Sequence, residues 1–174
     1  METFYDEEKH LYYVDGVARP SVTEICSPIS AQRLNALNDS ILNKARKRGS
    51  ECHALFADYW LSGDIDREDV PLEYVPYINQ FLMWARTYKP EPIFVERQLF
   101  SYDFCGTCDF ICKIDGKTLL IDYKCTAVAD KKSLSCQLEG YSRLCKQYGI
   151  DIDECWYLHI KKDLLDGTCN IVVG

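Results

Sequence analysis

The chain has 174 residues and a net charge of −7, from 20 Lys and Arg against 27 Asp and Glu, and 47% of its residues are hydrophobic. This acidic balance disfavours broad, nonspecific affinity for nucleic acid. No apolar run approaches the ~20 residues of a membrane-spanning helix, so no membrane partner is expected. Length and composition predict a single globular domain over residues 1–174, with a hairpin and helices in 1–90 and a sheet and helix in 91–174.

The start of the chain and its cysteines bear on the compartment. The first residues lack the basic and apolar regions of a secretion signal, which predicts a cytoplasmic protein. The ten cysteines are therefore expected to be free thiols, many of them packed as small hydrophobes. Cys105 and Cys108 have metal-ligand spacing, but a closed zinc site needs a second pair or histidine partners, and no second CxxC pair occurs. Cys108 and Cys112 are predicted to share the apolar face of one strand.

The N-terminal half is predicted to be a hairpin followed by helices. Residues 1–19 form the hairpin, in which His10 lies beside an exposed turn and receives no role. Ser27-Pro28 is expected to end a short helical turn, because proline disfavours helical backbone in the residue before it. Apolar spacing then predicts helices over 30–48, from Gly49 to Ser62-Gly63, and over 72–88.

His53 lies in the second of these helices. It precedes Phe56 by three residues and Trp60 by seven, so it points towards the core side of the helix. On this pattern alone His53 is either a satisfied core histidine or a metal ligand.

The C-terminal half is predicted to be a sheet with one helix. Its elements are a strand over 93–101, a hairpin around Asp115-Gly116, a helix over 132–148, and two closing strands, 154–160 and 169–173, around Asp166-Gly167. The expected class is therefore α/β, with a central mixed β-sheet flanked by helices.

The Asp115-Gly116 hairpin predicts a register. A type I′ turn there pairs Ile114 with Lys117 and places Asp109 opposite Asp122. One strand face then carries Asp109, Asp122 and Lys124. Facing carboxylates repel, so either a divalent cation lies between them or both are on a solvated face. With a cation site, the metal-free protein would be electrostatically strained, and Asp122→Asn would stabilise it.

Two further patterns have alternative explanations. A two-residue turn at Tyr102-Asp103 places Glu96 opposite Asp109; otherwise Glu96 is a solvent-facing or ion-paired strand residue. Gln137 and Tyr141 lie one turn apart on one helix face. The same spacing also suits an amphipathic helix in which Tyr141 is simply packed.

Together these residues resemble the catalytic core of the PD-(D/E)XK nuclease superfamily, in its RecB-type and phage-type exonuclease branch. The resemblance covers roughly positions 10 to 160. The motifs that carry it, in chain order, are His10 to Gly16 followed by Ser21-Val22-Thr23, Arg48-Gly49-Ser50-Glu51-Cys52-His53, Val95-Glu96, Asp109 with Asp122-Tyr123-Lys124, and Gln137 with Tyr141.

The resemblance implies a restriction-endonuclease-like core and a set of roles. A Mg²⁺ or Mn²⁺ ion would be held by His53, Asp109, Asp122 and the backbone carbonyl of Tyr123, with Glu96 beside them. Lys124 would orient the attacking water or stabilise the transition state. Gln137 and Tyr141 would position the DNA strand. Some relatives carry an iron–sulfur cluster, but the cysteine spacing here predicts none.

The expected function is therefore a metal-dependent DNA exonuclease. It would hydrolyse phosphodiester bonds at single- or double-stranded DNA ends without sequence specificity, since the site contains no base-reading pattern. Two alternatives are a non-catalytic module that binds nucleic-acid ends and a structure-specific endonuclease of the same superfamily.

Overall fold

The computed structural model describes residues 1–34, 38–66, 68, 70–126, 129–162 and 170–173; for 30–34 and 170–173 it describes the backbone alone. The predicted Asp166-Gly167 turn lies outside these residues, as do positions 35–37 of the helix predicted over 30–48 and Cys169 of the strand predicted over 169–173. No helix in the described part is long and apolar enough to cross a bilayer.

The strands form two sheets. The strands of the first, an antiparallel sheet, are β1 (Thr3–Asp6), β2 (Leu11–Val14) and β3 (Val17–Arg19). The strands of the second, which pair in chain order, are β4 (Glu91–Leu99), β5 (Gly106–Ile114), β6 (Lys117–Lys124), β7 (Glu154–His159) and β8 (Asn170–Val173). Because β6 and β7 are parallel and the other pairs antiparallel, this sheet is mixed.

Helices pack against the mixed sheet, which confirms the predicted α/β class. They are α1 (Val22–Leu34), α2 (Asp39–Ser62), α3 (Val75–Tyr88) and α4 (Lys131–Gln147). One core joins α2 and α3 to the sheet through Phe56, Phe81 and Phe110; the rings of Phe56 and Phe81 stack at 4.1 Å. The other core joins α1 and α4 to it through Val22, Leu138, Ile111 and Leu120.

The helix boundaries in the N-terminal half differ from the prediction. Pro28 lies inside α1 and has no N–H to donate to the Glu24 carbonyl. The Ser27 hydroxyl donates to that carbonyl instead. Helix α2 continues through Gly49 and begins instead at Asp39, after the N-cap Asn38, whose side chain accepts the Ser40 N–H at 2.8 Å. The predictions that helices end at Pro28 and begin at Gly49 were therefore wrong: a side-chain hydrogen bond compensates at Pro28, and Gly49 lies inside α2.

The hairpin register is confirmed. Asp115 and Gly116 have φ values of 50° and 80°, as a type I′ turn requires, and Ile114 pairs with Lys117. The β4–β5 register also agrees with a Tyr102-Asp103 turn, since Leu99 pairs with Gly106.

Side-chain alternation breaks where Glu96 and Asp109 meet. Cys108 and Phe110 are two residues apart and would share a face in a regular strand. Instead Cys108 packs towards α4 and Phe110 towards α2 and α3. Cys112 also lies on the α2–α3 side, so the prediction that Cys108 and Cys112 share a face is wrong. On the neighbouring strand Glu96 has a φ of 47°, a left-handed backbone that redirects its side chain.

The expectation of ten free thiols is wrong for two cysteines. Cys26 of α1 and Cys136 of α4 form a disulfide with their Cα atoms 6.1 Å apart. The two helices approach closely because Gly140 has no side chain: a Cβ there would lie 2.9 Å from Val22. Spacing along the chain could not reveal this pair, which is 110 residues apart.

Candidate metal centre

Three side chains from different elements meet at the break in alternation. His53 comes from α2, Glu96 from β4 and Asp109 from β5, and one potential ligand atom of each lies within 4.8 Å of the others. All three were singled out from the sequence. The structure brings them together because α2 packs on the face of the sheet that carries Phe110 and Tyr123.

His53 is oriented by two contacts. Its Nε2 lies 2.9 Å from the Tyr123 carbonyl oxygen, and its Nδ1 lies 3.5 Å from Asp109 Oδ2. Burial alone would lower the pKa of His53, but the Asp109 carboxylate outweighs it and raises that pKa to about 9. In the absence of a cation, His53 is therefore protonated at neutral pH and forms an ion pair with Asp109.

Asp109 is held by the neighbouring strand. The Tyr123 N–H donates to its Oδ2 at 2.8 Å. Burial opposes ionisation of this carboxyl, yet the His53 and Lys124 charges and the Tyr123 N–H together lower its pKa. Asp109 is thus ionised at neutral pH, which leaves its carboxylate oxygens suited to binding a cation.

Asp122 and Lys124 form a second ion pair beside the first. Lys124 Nζ donates to Asp122 Oδ1 at 2.9 Å and lies 2.7 Å from Oδ2. Within the described residues Oδ2 of this buried carboxylate accepts no hydrogen bond. Burial raises the pKa of Asp122, and repulsion from Asp109 adds to that effect, although Lys124 opposes it. Asp122 is not one of the three converging groups, and its carboxylate is ion-paired with Lys124.

Glu96 and Tyr123 complete the predicted ligand set. The pKa of Glu96 is raised to about 7, mainly because its carboxyl group is buried and also because Asp109 repels it. The residue as a whole is nevertheless exposed. The Tyr123 carbonyl, predicted as a ligand, is hydrogen-bonded to His53 in this arrangement. The Tyr123 side chain points into the core, where its hydroxyl accepts the Trp60 Nε1–H at 3.0 Å.

The centre opens into a cleft of about 1070 Å³. Tyr141 lines this cleft, with its hydroxyl 3.5 Å from Thr23 Oγ1. The ring fits because Gly106 lacks a Cβ, which would lie 2.7 Å from it. Gln137 is half-buried on the same helix, and no contact in the described part of the chain links it to the carboxylates.

Sequence reasoning missed the contribution of the first sheet to this cleft. Tyr5, His10 and Tyr12 form part of the wall. Tyr12 fixes that wall to the second sheet, since its hydroxyl lies 2.8 Å from Thr107 Oγ1. No local signal marks this contact, because the residues are 95 positions apart.

The donor set suits a hard divalent cation. Carboxylate oxygens are the ligands that Mg²⁺ and Mn²⁺ prefer, and an imidazole nitrogen is compatible with Mn²⁺. Asp122 Oδ2, which is ion-paired with Lys124, is a further oxygen beside the three converging groups. Comparison of the chain with protein-family models and with curated proteins found no match.

Proposed function

We propose that this chain is a metal-dependent nuclease of the PD-(D/E)XK type that hydrolyses DNA phosphodiester bonds, as an exonuclease without sequence specificity. The observation that carries the proposal is the convergence of His53, Glu96 and Asp109 next to the Asp122–Lys124 pair. These groups lie beside the cleft of about 1070 Å³, which is as large as the largest typical ligand-binding pockets.

The residues would divide the work between metal binding and charge stabilisation. Asp109, Glu96 and His53 would hold Mg²⁺ or Mn²⁺, with Asp122 Oδ2 as an additional ligand. When bound, such an ion supplies Lewis-acid activation of water and neutralises charge on the phosphate. His53 must lose its proton to act as a ligand, so metal binding should release a proton.

Lys124 has the properties of an electrostatic stabiliser. Burial would lower its pKa, but Asp122 and Asp109 outweigh burial and raise that pKa, so the ammonium group stays charged. A fixed cation at this position favours the negative charge that builds on a phosphate oxygen during hydrolysis. The role proposed for Tyr141 is to position the strand, from its place on the cleft wall.

The test is incubation of the protein with linear and circular DNA, single- and double-stranded, in Mg²⁺ or Mn²⁺. Degradation of the linear forms alone is expected, and cutting of circles would favour a structure-specific endonuclease. Asp109→Asn should abolish cleavage. Asp103→Asn is the matched control, because Asp103 lies in the exposed turn between β4 and β5. If the wild-type protein binds DNA ends but cuts no substrate, the chain is a binding module and the proposal is wrong.

A further inference from the structure

Two residues with unusual backbone face the cleft. In the described residues five non-glycine residues have positive φ. Asp15 and Asp115 begin Asp-Gly turns, and Lys89 caps α3. Of the other two, His10 at 53° lies in the turn between β1 and β2, and Glu96 at 47° lies within β4; both line the cleft beside the candidate metal centre. Strained backbone persists where the surroundings impose it, and it is frequent at binding sites.

The tip of the β1–β2 hairpin stands next to the metal centre. The Tyr5 hydroxyl lies 2.9 Å from His10 Nδ1, which joins the two side chains across the hairpin. Behind Tyr5, the Tyr12 ring packs at 4.5 Å and is itself held against Phe100 at 5.7 Å. Tyr5 is near enough to Glu96 that the Glu96 charge helps to raise the pKa of Tyr5, after burial and Glu7. The hairpin therefore presents a supported pair of rings towards the centre.

The rest of the cleft wall is rich in hydroxyl groups. Ser21, Thr23, Ser50, Thr107 and Tyr141 line it, together with Ser27, whose hydroxyl proton is already donated to the Glu24 carbonyl. Its charged groups are mostly acidic, and the one lysine, Lys9, forms an ion pair with Asp6 at 3.2 Å. Hydroxyl groups bind phosphate oxygens without adding positive charge. A polyanion would thus be held here by neutral donors and by contacts to its bases.

We propose that the hairpin face carrying Tyr5 and His10 is a binding surface for single-stranded nucleic acid. One base stacks on the Tyr5–His10 pair while the adjoining phosphates follow the hydroxyl-lined cleft to the metal centre. Aromatic rings bind exposed bases without regard to sequence. In a duplex the base faces are already covered by neighbouring pairs, so the surface selects single strands. This inference rests on the proposed nuclease function and specifies its substrate as a single-stranded end.

The low positive charge of the cleft wall predicts how the affinity for a single strand depends on salt. Affinity that comes from Lys and Arg contacts to phosphates falls steeply with salt, because counterions are released. Stacking and hydroxyl contacts release few counterions. The affinity for a single strand should therefore depend weakly on salt.

The test is fluorescence anisotropy with a short labelled oligothymidylate, in Ca²⁺ to limit cleavage. Tyr5→Leu and His10→Asn should each weaken binding about tenfold, as expected for loss of one stacking contact. Tyr5→Phe keeps the ring but loses the hydroxyl contact to His10, so it should bind more tightly than Tyr5→Leu. His10→Asn keeps the fold, because asparagine tolerates positive φ. Tyr13→Ala is the matched control, since Tyr13 lies on β2 against Phe4, outside the cleft.

The outcomes separate this inference from the nuclease proposal. Folded Tyr5→Leu and His10→Asn proteins that bind like wild type would overturn the inference, as would a duplex that binds as tightly as the single strand. DNA cleavage by the wild type would then still support the nuclease. Conversely, the wild type could bind single strands without cutting any DNA, while the Tyr5 and His10 variants lose that binding. This result would support the binding surface and contradict the nuclease proposal.

Discussion

His53 and Asp109 form an ion pair between α2 and β5, with Nδ1 3.5 Å from Oδ2. The side chain of His53 is 26% exposed and that of Asp109 is 12% exposed, so solvent screens the pair only in part. Without a cation the pair ties the helix to the sheet, and with one both residues would become ligands. The predictions below depend on this double role.

The first prediction concerns pH. The pKa of His53 is raised to about 9 in the folded protein, above its value of about 6.5 in unfolded chains. Its contribution to stability is therefore fully present below about pH 6.5 and is lost as the pH rises through about 9. In EDTA, His53→Gln should be less stable than wild type by about 1–2 kcal/mol at low pH, after allowance for solvent screening.

Urea unfolding of both proteins at several pH values measures this difference. It should shrink to near zero at alkaline pH. A difference that stays constant with pH would show that His53 is not charged in the folded protein.

The second prediction concerns Asp122. Considered alone, the repulsion between the carboxylates of Asp109 and Asp122 predicts that Asp122→Asn stabilises the metal-free protein. The structure predicts the opposite, because Lys124 Nζ lies 2.7 Å from Asp122 Oδ2 and would lose its main partner. We expect Asp122→Asn to lower the free energy of unfolding by about 2 kcal/mol, since a partly buried charge is left unpaired.

The double variant Asp122→Asn/Lys124→Gln is the control for this explanation. It should recover part of the lost stability in EDTA, because it removes the unpaired charge as well. A stabilising effect of Asp122→Asn alone would mean that repulsion from Asp109 outweighs the Lys124 contact.

The third prediction concerns metal addition. Mn²⁺ should raise the melting temperature of the wild type, because an ion that binds only the folded protein stabilises it by mass action. His53→Ala should reduce this shift, and Asp109→Asn should nearly abolish it, as a charged oxygen ligand is lost. The exposed variant Asp103→Asn should keep the full shift. If all four proteins respond equally, Mn²⁺ binds elsewhere.

The fourth prediction compares two glycines. Gly106→Ala would place a Cβ 2.7 Å from the Tyr141 ring, so the ring must move. This should cost about 1–3 kcal/mol of stability and reduce cleavage, because Tyr141 lines the cleft. Gly49→Ala meets nothing within 4 Å inside α2 and should stabilise the protein by about 0.5–1 kcal/mol. Thermal melts and cleavage assays of both variants test this contrast.

Local chemistry determined the part of the candidate site that depends on register. The Asp115-Gly116 turn requires positive φ at both residues, and with this turn the whole β5–β6 pairing follows. The inward position of His53 followed in the same way from helical spacing. Such signals act over a few residues, so they can be inferred without the rest of the chain.

Only the tertiary structure decided how the groups at the site are partnered. The ion pair of His53 with Asp109, the approach of Glu96 to both and the placement of His10 on the cleft wall arise between elements distant in the chain. Helices α1 and α2 also run through Pro28 and Gly49, where local signals had predicted helix ends. The physical reason is that these contacts depend on how helices and sheets dock, and docking is set by the summed burial of many side chains rather than by any short pattern.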